Sequence, residues 1–240
     1  MRTLSAVLVA MAIVGFRAAP SDVGKAAQSD MSLRGQQVPS TQTARPAVPA
    51  PTIVPEGNGA PVITDGLFSP GEWDDALRIA LGEAVELRLK QYRDVVFIGV
   101  GGLSGAMIGA SDLFLAVPGG PVHQLHVSAQ LGEIVLPPTG DAPAFRFGLT
   151  SDWYANEQRR DQVEFARLQK EGKSPIEIIT ATAYPSDGIE FAIRRSKFPG
   201  QVWMMRLQTS FFFKDKPGGL VHPTATAERT TDGWLELRFK

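Results

Sequence analysis

The stretch VELRLKQYRDVVFIGV, residues 85–100, holds two kinds of strand side by side. In its first half Val85, Leu87 and Leu89 alternate with Glu86, Arg88 and Lys90, the period of two that gives an extended chain one dry and one wet face. Its second half, DVVFIGV, is almost continuously apolar, as expected of a central strand covered on both sides. The alternating kind returns in GIEFAIRR, where Ile189, Phe191 and Ile193 oppose Glu190, Ala192 and Arg194. It returns again in WLELRF, where Leu235, Leu237 and Phe239 oppose Trp234, Glu236 and Arg238. DLFLAV is of the continuous kind. VHQLHVSAQ, GEIVL, PIEIITAT and VWMMRLQTSFFF read as further strands, with Trp203 on the core face beside Met205 and Leu207. Short runs separated by turn residues predict a mainly β chain, an antiparallel β-sandwich of immunoglobulin-like or jelly-roll-like kind, over 61–240. One segment breaks the pattern: Trp153–Ser174, WYANEQRRDQVEFARLQKEGKS, has neither glycine nor proline before Gly172. It predicts one inserted helix near 154–171, with Val163, Phe165 and Leu168 as a narrow apolar stripe and Gly172 as its stop.

The N-terminal sequence has a different character. MRTLSAVLVAMAIVGFRAAPSD places Arg2 before an apolar run from Leu4 to Phe16, the pattern of a signal peptide or N-terminal anchor over 1–19. The run is shorter than the roughly 20 apolar residues of a membrane span, so the mature domain is expected to be exported to the periplasm or the extracellular space. Residues 20–60 are polar, small and proline-rich, and seven of the eighteen prolines lie between Pro39 and Pro70. No hydrophobic period survives there, which predicts a disordered linker.

Composition narrows the chemistry. Twenty-four basic residues against twenty-five acidic ones leave a net charge of -1, which argues against a nucleic-acid partner. No cysteine is present, so disulfides, thiolate metal sites and thiol nucleophiles are all excluded. The glycine-rich GVGGLSGAMIG, Gly99–Gly109, puts Ser104 where a dinucleotide fingerprint needs its last glycine and leads into a strand, so it reads as a connection. His123 and His126 are three apart on a strand, which points their rings to opposite faces. Asp65, Glu72, Asp74 and Asp75 offer hard oxygen ligands for calcium, but their spacing suits turns and caps better. No motif brings two carboxylates or a nucleophile and base together, and the reading is of a protein that is not an enzyme. Trp153 with Tyr154 at the helix start, and Trp234 at the start of the last strand, are the candidate ligand-binding aromatics.

The stretch ITDGLFSPGEWDDALRI, Ile63–Ile79, followed by the strands at 85–100 and by SDLFLAV, resembles the family 9 carbohydrate-binding modules and their wider DOMON-like relatives. DGIEFAIRRSKF and DGWLELRF match the later strands of that pattern in the same order. The resemblance implies that Trp73 is a fold residue closing the first turn, with Asp65 and Gly66 forming the turn before it. It also implies a glycan or cell-envelope ligand held between two loop tryptophans. Here the first such loop, Gly101–Ser111, carries no aromatic residue, and the second offers only Trp234, so Trp153 or Tyr154 would have to complete the site. Two other readings stand beside this one. Some relatives bind haem b through Met and His or Lys, for which Met107, Met204, Met205, His123, His126 and His222 are the available side chains. The third reading is a protein partner in the envelope, met by the helix over Tyr154–Lys170. No cofactor is expected on the leading reading; haem b or a structural calcium belongs to the alternatives.

Overall fold

The computed structural model describes residues 50–148, 150–156, 161–183, 186–213, 216–224 and 226–240. The expected leader at 1–19 and the linker as far as residue 49 lie outside the described residues. Two sheets face each other. The smaller has five strands in the order β2 (Leu77–Ala80), β3 (Glu86–Tyr92), β4 (Val95–Gly101), β10 (Ile189–Arg194) and β9 (Trp153–Ala155). The larger runs β1 (Thr52–Ile53), β13 (Leu235–Arg238), β11 (Val202–Phe213), β5 (Met107–Ala116), β6 (Val122–Val127), β7 (Leu131–Leu136) and β8 (Arg146–Phe147). Beyond the end of β13, β12 (Lys216–His222) takes over as the neighbour of β11. All pairings are antiparallel except that of β1 with β13.

The inward faces are those the alternation predicts. Leu87, Leu89, Ile189, Phe191, Ile193, Trp203, Met205, Leu207, Leu235 and Leu237 form one buried cluster with Val96, Ile98, Val100, Leu113 and Leu115. Among them Ser111 and Thr209 satisfy each other's buried hydroxyls at 2.6 Å.

The outward faces depart from expectation. Lys90 and Glu190, assigned by parity to wet faces, are both wholly buried. The cause is the segment 58–76, which lies across the outside of the smaller sheet and gives it a second apolar layer of Val62, Phe68, Trp73 and Phe97. The Trp73 indole rests on Gly99, where a Cβ would come within 2.8 Å of the ring, and stacks on Phe68 at 5.4 Å. Its N–H donates to Glu190 Oε1 at 2.8 Å. Glu190 Oε2 accepts from the backbone N–H groups of Gly66 (2.8 Å) and Asp65 (3.1 Å). Gly66 has φ +86°, and a side chain there would strike Asn156 and Ser186. Trp73 is therefore the anchor and Asp65-Gly66 the turn, as the resemblance implies. Lys90 ties down the other end of the same segment, donating to Ala60 O (2.9 Å), Glu72 O (2.7 Å) and Asp75 Oδ1 (2.6 Å). Asp75 Oδ2 in turn accepts from the N–H groups of Asn58 and Gly59.

Two further expectations are corrected. From Ala50 onward the proline-rich run is described, and there Thr52–Ile53 pairs with β13 while Gln91 N–H donates to Pro55 O; these residues belong to the sandwich, because the edge of β13 offers the hydrogen bonds that composition alone does not. Among the described residues there are two α-helices, α1 (Gln162–Lys170) and α2 (Pro175–Thr182), and one 3-10 turn at Arg195–Lys197, whereas 153–155 is strand β9. PIEIITAT is helical because Ser174 and Glu177 form a reciprocal capping box ahead of it, with Ser174 N–H donating to Glu177 Oε2 at 2.9 Å and Glu177 N–H to Ser174 Oγ at 3.4 Å. Helix α1 starts at the Asp161 cap and stops at Gly172, φ +71°. Among the described residues no helix is long and apolar enough to cross a membrane.

Removing the Lys90 ammonium leaves the buried Glu72 carbonyl, the partly buried Ala60 carbonyl and the Asp75 carboxylate without their donor, so Lys90→Met is expected to lose roughly 3 kcal/mol of unfolding free energy in urea titration. Burial pushes the Glu190 carboxyl up to about 7, against the hydrogen bonds from Gly66, Trp73 and Asp65. A carboxyl raised in the folded state favours folding at low pH, and that contribution declines as pH climbs from its unfolded value, about 4.5, through about 7. The stability difference between wild type and Glu190→Gln should therefore change across this window; a pH-independent difference in urea midpoints would contradict it.

Candidate functional site

The aromatic platform expected from Trp153, Tyr154 and Trp234 is not formed. Trp153 is 3 % exposed and faces the core from β9, its indole N–H donating to Glu133 Oε2 at 2.9 Å. Tyr154 is half-buried beside Ala192 at the margin of the main core. Trp234 is 2 % exposed on the outside of the larger sheet, edge-on to Phe114 at 6.2 Å, with its indole N–H given to Ala227 O at 2.8 Å. The two tryptophans are thus buried, each with its indole N–H given to a protein acceptor, whereas Tyr154 keeps part of its surface exposed.

Glu133, on β7, receives Trp153 and two more donors, His123 Nδ1 at 2.9 Å and Lys197 Nζ at 2.8 Å. Burial alone would raise this carboxyl; the hydrogen bonds from His123, Lys197 and Trp153 together with the lysine charge outweigh it and bring the value down to about 2. The group is a clamp between the two sheets. His126 points to the other face of β6, as its spacing from His123 predicts, and there meets Asp112. Met204 and Met205 likewise face opposite ways on β11, Met205 in the core and Met204 outside it. His222 is half-buried, and desolvation lowers its pKa. Among the described residues no three His, Asp or Glu side chains converge as a metal group. The acidic cluster serves turns and caps: Asp65 Oδ1 accepts from Leu67 N–H, Glu72 Oε1 from Ile63 N–H, and Asp75 pairs with Lys90.

What the structure does assemble lies on the outer face of the larger sheet. Register places Gln208, Asp112, His126 and Gly132 in one row across β11, β5, β6 and β7, with Phe147 of β8 opposite Gly132. Arg206, Phe114, Gln124 and Ile134 form the next row. Asp112 Oδ1 accepts from His126 Nδ1 at 2.8 Å and from Gln124 Nε2 at 2.9 Å; its Oδ2 takes no hydrogen bond from any described residue. The missing Cβ of Gly132 makes room for Phe145 and Phe147, whose centroids are 5.7 Å apart with planes inclined by 34°. Phe145 continues to the His126 ring at 5.1 Å, and Phe147 is 59 % exposed. Arg206 sits where the partner of β11 changes from β13 to β12. Its guanidinium lies 4.7 Å above the Phe114 ring and donates to Gln208 Oε1 at 3.1 Å, with Glu228 3.6 Å away. Its Nε and Nη1 are buried without a partner among the described residues. The result is a strip with an aromatic end and a hydrogen-bonding end.

Sequence reasoning missed these residues. The signal was present in AFRFG, where two phenylalanines two apart follow a Pro/Gly-rich run, but a two-residue strand is too short to show a period.

No protein family matches the sequence, and neither does any curated protein. Among solved structures, the chain is similar to a family 9 carbohydrate-binding module from Caldicellulosiruptor kristjanssonii in complex with cellotriose. That match has 12 % identity and a TM-score of 0.44, and it covers 80 % of this chain and 94 % of that one.

The Glu133 clamp has a stability signature of its own. Its carboxyl is lowered in the folded state, so its contribution is complete above the ordinary carboxylate value of 4.5 and is lost as pH falls towards about 2. Glu133→Gln is expected to lie about 1–3 kcal/mol below wild type at neutral pH, solvent screening reducing the full effect, with the gap closing in acid, as measured by urea unfolding at several pH values.

Proposed function

We propose that this chain is an exported, non-catalytic carbohydrate-recognition domain whose glycan seats on the outer face of the larger sheet. The observation that carries the reading is the exposed Phe147, backed by the half-buried Phe145, set beside Asp112, His126, Gln124 and Gln208. A sugar ring has an apolar C–H face and a rim of hydroxyls, so it needs an aromatic surface with donors and acceptors at its edge. Both are present in one strip. Asp112 Oδ2 is ready to accept from a hydroxyl, while the side-chain amides of Gln124 and Gln208 add groups of both polarities. The sequence resemblance to family 9 modules, the leader pattern and the balanced charge support the same reading. A free glycan or a cell-envelope polysaccharide would present the same chemistry.

The test is calorimetric titration of the full chain with a panel of oligosaccharides. Phe147→Ala removes an exposed ring and is expected to weaken binding about tenfold or more while leaving the unfolding free energy within about 0.5 kcal/mol of wild type. Trp153→Ala deletes a buried ring and is expected to cost about 3–5 kcal/mol of stability. Equal glycan affinity in wild type and Phe147→Ala would refute this location for the site.

A further inference from the structure

Resting on the carbohydrate reading, we infer that the strip takes a single uncharged glycan strand, laid across β11, β5, β6 and β7, and not the flat surface of a packed polysaccharide. Three features lead there. The first is the aromatic pair. Two rings inclined by 34° cannot both lie against one plane, and Phe145 is half-buried, so only Phe147 offers an open face. A packed polysaccharide surface needs coplanar rings standing proud of the sheet. A lone strand needs one stacking ring and can turn its edge to the rest.

The second feature is depth. The Asp112 and His126 side chains keep only 17 % and 18 % of their surface, so a ligand has to descend to them. A free strand can lower the hydroxyl edge of one sugar towards Asp112 Oδ2, whereas the hydroxyls at the edges of packed chains are already bonded to their neighbours. The row from Gln208 to Gly132 crosses three strand spacings, about 14 Å, which is enough for a short oligosaccharide.

The third feature is charge. Asp112 and Glu228 set two carboxylates against the single Arg206 guanidinium, which is itself shared between Gln208 and Glu228. A uronate or sulfate on the ligand would face that excess of negative charge, while the Arg206 guanidinium, its unpartnered Nε and Nη1 included, is buried beneath the surface. Neutral hydroxyls meet no such penalty.

The experiment sets soluble neutral oligosaccharides, a soluble polyuronate and a washed microcrystalline polysaccharide against the full chain, with Phe147→Ala and Asp112→Ala in parallel. The result expected is saturable binding of the neutral oligosaccharides, weakened about tenfold or more in both variants, with at least tenfold weaker binding of the polyuronate and no retention on the insoluble material. Retention on the microcrystalline polysaccharide that is lost in Phe147→Ala, without binding of soluble chains, would overturn the inference and leave the carbohydrate reading standing. Preference for the polyuronate would do the same. No binding to any of the three, with both variants folded, would overturn the carbohydrate reading itself and the inference with it.

Discussion

A single buried carboxylate joins the two ends of this fold. Glu190 stands on a strand of the smaller sheet and receives three N–H groups, two from the Asp65-Gly66 turn and one from the Trp73 indole, across more than a hundred residues of chain. Those contacts hold one end of the segment 58–76 on the sheet while Lys90 holds the other, and between them the segment covers Phe97, Gly99 and the Lys90 side chain. The arrangement places three donors around one acceptor in a dry setting, where hydrogen bonds to a charged group are strong and an unpaired partner is costly. Burial works against the charge at the same time, so the carboxyl is held between two opposing influences.

The larger sheet is finished differently. Its outer face is closed at one end by Trp234, Met204, Val122 and Leu136, and left open at the other, where Asp112, His126 and the two phenylalanines stand. That difference separates framework from function. The smaller sheet is covered on both faces; the larger leaves part of one face uncovered, and the proposed glycan site lies there. The Glu133 clamp, lying on the inward side of the same strands, ties β6 and β7 to β9, so the proposed site stands on strands held from behind.

How far the sequence reveals this depends on the distance over which each signal acts. Strand parity is local, and Leu87, Ile189, Trp203 and Leu237 can be assigned to the core from their own neighbours. The turn at Asp65-Gly66 and the anchoring role of Trp73 are legible from a resemblance spread along the chain. What covers an outer face is a non-local fact: nothing near Lys90 or Glu190 announces that residues 58–76 will lie over them, so parity alone marks both as wet. PIEIITAT fails for a different reason. Its β-branched residues suit a strand, yet the Ser174 to Glu177 capping box had already specified a helix start. The candidate tryptophans Trp153 and Trp234 are buried, a non-local fact that their own neighbours do not announce, while Phe147, which stays exposed, sits in a segment too short to show a pattern.

Lys90 illustrates a choice between two ways of placing positive charge inside a protein. Its ammonium is surrounded by two carbonyl oxygens and a carboxylate oxygen, a set of hard ligands of the kind that also suits a metal ion. An ion drawn from solution leaves when its concentration falls, and a closure built on it follows the composition of the medium. A cation carried on a side chain has no such equilibrium. The covering of the smaller sheet by residues 58–76 thus needs no dissolved cation at this point to hold it in place.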